Sequence, residues 1–237
     1  MESLKRWTAE ILALNLNETA IQLFAHYQRL LQDWNQKFNL TSLTEEKEIL
    51  IKHFLDSLVC FHFMPRSISF SLIDIGTGAG FPGIPLKIVN PYIRLTLVDS
   101  VQKKVEFCKL LVKELGLSDV EVLHARAEDI GQDNHYREKF DWSVARAVAD
   151  LSVLAEYMLP LTAVGGFMLA MKGAEVGQEV EKANPAISLL GGDINQIEKI
   201  YLPENFGERN LILIKKIKPT PQKYPRKPGK PTKKPLL

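Results

Sequence analysis

A chain of 237 residues, 46% of them hydrophobic, can bury the core of one ordinary domain, or of a domain with an appendage. Its formal net charge is only +2, yet residues 218–237 hold Lys218, Lys223, Arg226, Lys227, Lys230, Lys233 and Lys234 and no acid, so a body of net charge −5 carries a basic end. No run approaches the length of a membrane-spanning helix, acids stand too early for a secretory signal, and Cys60 and Cys108 have no metal-ligand spacing. The expectation is a reduced, cytoplasmic protein without a structural metal.

Helical spacing is read first at 18–38, where Ile21, Phe24, Leu31, Trp34 and Phe38 share a face. Asn39-Leu40-Thr41 breaks it. Ser42 and Glu45 have the spacing of a capping box, and a second helix is expected over about 45–62. Met64 to Ser69 reads as a linker. Residues 1–66 are therefore expected to form a helical layer packed on a sheet domain over 67–217, with 218–237 as a basic tail.

From Phe70 the pattern alternates. Strands are expected at about 71–76, 94–98, 119–124, 140–145, 164–171, 194–201 and 209–217, and helices at about 83–89, 101–115, 150–158 and 174–190. Such alternation implies an α/β fold with a parallel sheet and right-handed crossovers. Only the Pro203–Arg209 loop separates the last two strands, so they should form a hairpin and the last strand should run antiparallel. A seven-stranded sheet with one reversed strand is the Rossmann-like architecture of methyltransferases that use S-adenosylmethionine (SAM). Dehydrogenase Rossmann domains usually stay parallel.

The first strand, Leu72-Ile73-Asp74-Ile75, runs into Gly76-Thr77-Gly78-Ala79-Gly80-Phe81-Pro82-Gly83. Glycines at alternate positions let a turn press against a ligand. Twenty-three residues after Gly76 the second strand ends in Asp99, an acid suited to two ribose hydroxyls. Gly78-x-Gly80-x-x-Gly83 matches the dinucleotide fingerprint, which leaves a nicotinamide oxidoreductase as an alternative. Two features favour SAM. Asp74 would repel a pyrophosphate but suits the cationic sulfonium and amino groups. Pro82 removes an N–H from the helix start where a phosphate would bind.

The tail also holds Pro219, Pro221, Pro225, Pro228, Pro231 and Pro235. It is expected to be extended and mobile, neither helix nor inner strand. Its charges suit nucleic-acid phosphates, and Tyr224 and Arg226 could stack on bases. A non-catalytic RNA-binding assembly factor is the reading this tail alone would support.

Several of these segments resemble one bacterial family almost end to end. Trp34-Asn35, Asn39-Leu40-Thr41 and His53-x-x-Asp56-Ser57 are similar, as are the glycine turn through Ile84-Pro85-Leu86, Val98-Asp99-Ser100 with Lys103-Lys104, and Arg126-Ala127-Glu128. So are Arg146-Ala147, Lys172-Gly173 and Tyr224-Pro225-Arg226-Lys227-Pro228-Gly229. Together they resemble the RsmG (GidB) family, which methylates N7 of a guanine in a decoding-region stem-loop of 16S rRNA. Ala145 departs from the serine the family often carries there.

The resemblance implies SAM as cofactor. It implies cofactor contacts at Gly76 and Phe81, at Asp99, Ser100 and Val101 along the ribose and adenine edge, at Ala127 and Glu128 beside the adenine, and at Arg146. Arg146 and Lys172, ending consecutive strands, are candidate contacts to RNA phosphate or guanine O6, or else structural ion pairs. His53 and Asp56 share a helical face, either as RNA surface or as a bonded pair that orients the layer. The implied partner is 16S rRNA, the 30S subunit or its assembly intermediate. A monomer is expected.

Guanine N7 has a lone pair and no proton, so its methylation needs no general base. Adenine-N6 enzymes carry an Asn/Asp-Pro-Pro-Tyr-like loop after the fourth strand, where this chain has Ala145-Arg146-Ala147-Val148. Cytosine-C5 enzymes need a cysteine nucleophile, and both cysteines here read as core.

Overall fold

Along the central strands of the computed structural model, neighbouring residues face opposite cores. Leu72, Leu97, Val144, Leu169 and Leu213 point to one, and Ile73, Val98, Ala145, Met168 and Ile214 to the other. Such strands are buried on both faces, so they read in the sequence as continuous apolar runs. The structure describes residues 1–38 and 45–236. The expected break at Asn39-Leu40-Thr41, and Ser42 of the expected capping box, lie outside them.

Among the described residues three helical segments precede the sheet. They are α1 (Glu2–Leu12), α2 (Glu18–Phe38), and a run comprising α3 (Glu46–Glu48), a π-helical Ile49–Leu55, α4 (Asp56–Leu58) and a 3₁₀ turn, Val59–His62. The helix α1 was not expected. It buries Leu4, Trp7 and Leu12 on one stripe. Five α/β units follow: β1 (Ser71–Ile75) with α5 (Gly83–Val89), β2 (Arg94–Asp99) with α6 (Gln102–Glu114), β3 (Val120–His124) with α7 (Ala127–Ile130), β4 (Phe140–Arg146) with α8 (Leu151–Met158), and β5 (Thr162–Lys172) with α9 (Gly177–Leu189). The hairpin β6 (Gly192–Tyr201) and β7 (Glu208–Lys216) completes the sheet, and one helical turn, α10 (Lys230–Lys233), lies near the end of the chain.

The seven strands lie in the order β3-β2-β1-β4-β5-β7-β6. The first five are parallel, and β7 runs antiparallel to both β5 and β6, as the missing helix before it implies. The helices α1, α2, α5 and α6 and the 46–62 run cover one face, and α7, α8 and α9 cover the other. Both cysteines are fully buried on the first side. Among the described residues no helix is long and apolar enough to cross a membrane.

The expectation of an extended, mobile tail needs correction. Thr220, Tyr224 and Pro231 are buried, and Tyr224 packs into the core shared with α8 and α9. Arg137 explains the docking. Its guanidinium donates to the carbonyls of Thr220 (2.8 Å) and Tyr224 (2.8 Å), so the tail's backbone acceptors are paired without a sheet or helix. The turn α10 overturns the expectation of no helix. Its proline stands in the first turn, where a missing N–H costs nothing.

Candidate active site

The chain order reverses between β1 and β4, which pair with one another at the centre of the sheet. Ligands of open α/β sheets bind at the carboxyl ends of the strands at such a switch point. The turn after β1 is built for this place. Gly76, Gly78 and Gly80 all take positive φ, at 69°, 62° and 97°. They do not all serve a ligand, however. A Cβ on Gly78 would meet only the Gly76 carbonyl oxygen, at 4.0 Å. One on Gly80 would lie 2.8 Å from the Tyr27 hydroxyl, and one on Gly83 would lie 2.6 Å from Leu97. The last two glycines bring the turn and α5 down onto the fold.

Two acids organise the turn. Asp74, fully buried, accepts hydrogen bonds at Oδ2 from the Thr77 hydroxyl (2.7 Å) and the Gly83 N–H (2.9 Å). Its Oδ1 is buried without a partner. Burial raises its carboxyl to about 6, against the lowering effect of those two hydrogen bonds. Asp99 ends β2 and accepts the N–H of Gly78 at Oδ2 (2.9 Å) and of Val101 at Oδ1 (2.9 Å). Each Asp99 oxygen keeps a further lone pair for a hydroxyl.

A pocket of about 240 Å³ opens at this point. Gly76, Asp99, Ser100, Ala127 and Glu128 line it, all five expected from the sequence. Carboxylates on its wall, with Asp74 behind the turn, suit a ligand bearing hydroxyls and positive charge and oppose a pyrophosphate. The residues present therefore fit SAM. Sequence reasoning missed Arg126, Val148, Ala149, Tyr157, Gly229 and Thr232 on the same wall. The last two come from the tail, which the sequence marked as a basic, proline-rich segment and, over Tyr224–Gly229, as part of the family resemblance, but not as a piece of this pocket. Among the described residues no cluster of His, Cys, Asp and Glu could hold a metal.

Three expected contacts lie off this wall. Val101 is exposed, and it is its N–H that is used, on Asp99. Phe81 is buried between the rings of Tyr27 (5.2 Å between centroids) and His53 (4.4 Å). Arg146 turns toward the helical layer. It donates to Asp56 Oδ2 (2.9 Å) and to the Lys52 carbonyl (2.8 Å), and its guanidinium sits 5.1 Å from the Phe81 ring centre. The structure thus joins His53 and Asp56 through Arg146, whose Nη2 lies 3.3 Å from His53 Nδ1. Burial, then the Arg146 charge, lowers the His53 imidazole to about 3 and holds it neutral. Lys172 pairs with Glu179 (2.7 Å) and donates to the Ala149 carbonyl.

A larger cavity, of about 860 Å³, lies beyond the carboxyl ends of β4 and β5, between Asp150, Glu175, Lys182 and Asn210. Its size does not make it the cofactor site, since it lacks the glycine turn and Asp99. Burial pushes both thiols up, so neither cysteine is a nucleophile.

Comparison with known proteins places these features. The model of the GidB family, described as rRNA small subunit methyltransferase G, matches residues 20–212. The ribosomal RNA small subunit methyltransferase G of Alkaliphilus metalliredigens is 48% identical over 225 residues, covering 95% of this chain and 94% of that protein. Its counterpart in Brevibacillus brevis is 48% identical over 236 residues, covering 98% and 99%. In fold, the chain is similar to a crystal structure of a SAM-dependent methyltransferase from Aquifex aeolicus. The TM-score is 0.53 at 16% identity, covering 74% of this chain and 96% of that one.

Proposed function

This chain belongs to the GidB family, the rRNA small subunit methyltransferases G, and we propose, on that premise, that it methylates N7 of one guanine in 16S rRNA. It is a SAM-dependent enzyme. SAM, when bound, supplies the methyl group on a sulfonium. The observation that carries the assignment of the site is the meeting of Gly76, Asp99, Ser100, Ala127 and Glu128 on one pocket wall at the switch point. Gly76, Asp99 and Ser100 would hold the ribose side of the cofactor, and Ala127 and Glu128 its adenine.

The chemistry asked of the protein is modest. The N7 lone pair attacks the methyl carbon as the bond from that carbon to sulfur breaks, and no proton moves. Catalysis then rests on positioning and on electrostatics. Burial keeps both thiols protonated, so no cysteine nucleophile serves the site, in keeping with an acceptor that needs none. Arg146 is held by Asp56 and Lys172 by Glu179, so either would reach the RNA by exchanging that partner for a phosphate or for guanine O6. The chain would act as a cytoplasmic monomer on the 30S subunit, its assembly intermediate or free rRNA.

The test is transfer of labelled methyl from SAM to 16S rRNA and to 30S subunits from a strain lacking the modification. Alkaline cleavage at N7-methylguanine then maps the site. Label at one guanine is expected. Label on another atom or another RNA would replace the substrate assignment, and the cofactor assignment would stand.

A further inference from the structure

Residues 220–234 cross the α8 side of the sheet and end at the cofactor pocket, held by buried partners along the way. Arg137 fixes the carbonyls of Thr220 and Tyr224. Pro225 fills the space over Gly131, where a Cβ would lie 2.6 Å from its ring. Arg226 then forks onto Glu156, with Nε at 2.8 Å and Nη2 at 2.6 Å from its two oxygens, and Glu156 is fully buried. Beyond this fork the Gly229 N–H donates to Glu128 Oε1 (2.9 Å), and the Thr232 hydroxyl meets the Tyr157 hydroxyl (3.0 Å). Gly229, Thr232, Glu128 and Tyr157 are all on the pocket wall.

We propose that residues 227–234 form a wall of the cofactor pocket, and that docking of this segment is coupled to binding of the adenosyl cofactor. The inference rests on the SAM reading above. Glu128 is 5% exposed, so its carboxylate needs a donor from the protein, and the Gly229 N–H is one. That N–H is aimed by a φ of 78°, a conformation natural only to glycine. Pro228 and Pro231 bracket it. Their fixed φ lowers the entropy lost when the segment is ordered, and their missing N–H groups leave few donors to satisfy. The composition that suggests disorder in isolation therefore also suits a short strap with a handful of fixed contacts. Coupling is reciprocal: if the docked strap shapes the pocket, a ligand in the pocket must hold the strap.

S-adenosylhomocysteine is the probe, and calorimetry on the full chain and on residues 1–226 is the measurement. The shorter chain keeps Tyr224, Arg226 and their partners, so its melting temperature should stay within a few degrees of the parent. Its Kd for the probe should weaken at least tenfold. Gly229→Ala, which adds a methyl into open space but strains the backbone, should weaken the probe in the same direction. In the full chain, saturating probe should slow amide hydrogen exchange across 227–234. An unchanged Kd in both variants, or exchange in that segment indifferent to the probe, would overturn the inference. Should the shorter chain fail to fold, the point variant and the exchange experiment decide. A full chain that binds no S-adenosylhomocysteine at all would overturn the SAM reading itself, which separates the two failures.

Discussion

Arg146 and Asp56 stand 90 positions apart in the chain and 2.9 Å apart in the fold. The same carboxylate, its side chain 3% exposed, also takes Nε of Arg209 at 2.7 Å. One buried acid thus ties the helical layer to the ends of β4 and β7. Removing it leaves two arginines without their counter-charge, which costs roughly 3–5 kcal/mol. Asp56→Ala should lower the unfolding free energy in urea by about that amount. Methyl transfer should fall further than affinity for S-adenosylhomocysteine, because Arg146 loses its aim while the pocket wall stays intact. A variant as stable as the parent would show that the two arginines find other partners.

The glycines of the turn should separate into two kinds. Gly78→Ala adds a methyl that meets only the Gly76 carbonyl oxygen, at 4.0 Å, at a φ of 62°. It should cost only the strain of a left-handed residue, about 1–2 kcal/mol, and lose affinity for the cofactor. Gly83→Ala drives a methyl toward Leu97 and Asp74, and overpacking of this kind costs about 1–3 kcal/mol. It should lower stability with the smaller effect on affinity. Thermal melts with and without S-adenosylhomocysteine distinguish the two, and equal ligand-induced shifts in both variants would refute the division.

Asp74 sets a pH dependence whose sign is definite. Its carboxyl titrates near 6 in the folded free protein, above the ordinary 3.8, because it is buried. Between those values the folded state holds the proton and the unfolded state does not. The contribution of Asp74 to stability is therefore full below pH 3.8 and lost as pH rises through 6, on the order of 3 kcal/mol across the window. Asp74→Asn lacks this titration, so the parent's excess unfolding free energy over the variant should fall from about pH 4 to about pH 6 and level off above it. SAM, a cation, should bind the parent more tightly as pH rises through 6 and the variant with little change. Parallel curves for both proteins would remove Asp74 from the account.

The lysines of the strap are exposed, and the residues it sets on the pocket wall are Gly229 and Thr232. Lys227, Lys230, Lys233 and Lys234 are exposed. Replacing all four with alanine should leave affinity for S-adenosylhomocysteine unchanged. It should reduce the log–log salt slope of rRNA binding by about 0.7 for each of these lysines that neutralises a phosphate of a single strand. An unchanged slope would mean that the RNA lies elsewhere.

Much of the fold was legible because parallel strands buried on both faces read as apolar runs, and because no helix separates β6 from β7. On the pocket wall, Gly76 and Asp99 were legible locally, as the first glycine after β1 and the acid that ends β2, whereas Ala127 and Glu128 came only from the family resemblance, because the short α7 they open was not expected. What escaped depends on distant partners. The helix α1 is the exception, since Leu4, Trp7, Ile11 and Leu12 repeat at helical spacing and could have been read, while α7 and α10 are single turns. Nothing local in residues 218–237 reveals that Arg137 and Glu156 wait for them. Gly80 looked like a ligand glycine because spacing cannot show that Tyr27 sits over it, and an ion pair was one of two readings of Arg146 but its partner could not be named, because Asp56 is remote in sequence.

The burial of the two thiols has a practical side. Only a thiolate reacts with alkylating or disulfide reagents, and burial holds both cysteines in the protonated form. Cys60 lies in the helical layer with its sulfur 3.4 Å from that of Met171 on β5, and Cys108 lies on α6 with its sulfur 3.4 Å from the Gly78 carbonyl. Each is thus a built-in clock. The labelling rate of Cys60 times separation of the helical layer from the sheet, and that of Cys108 times the opening of the glycine turn. A bound ligand that slows the second clock and spares the first would locate the order it imposes without any added probe.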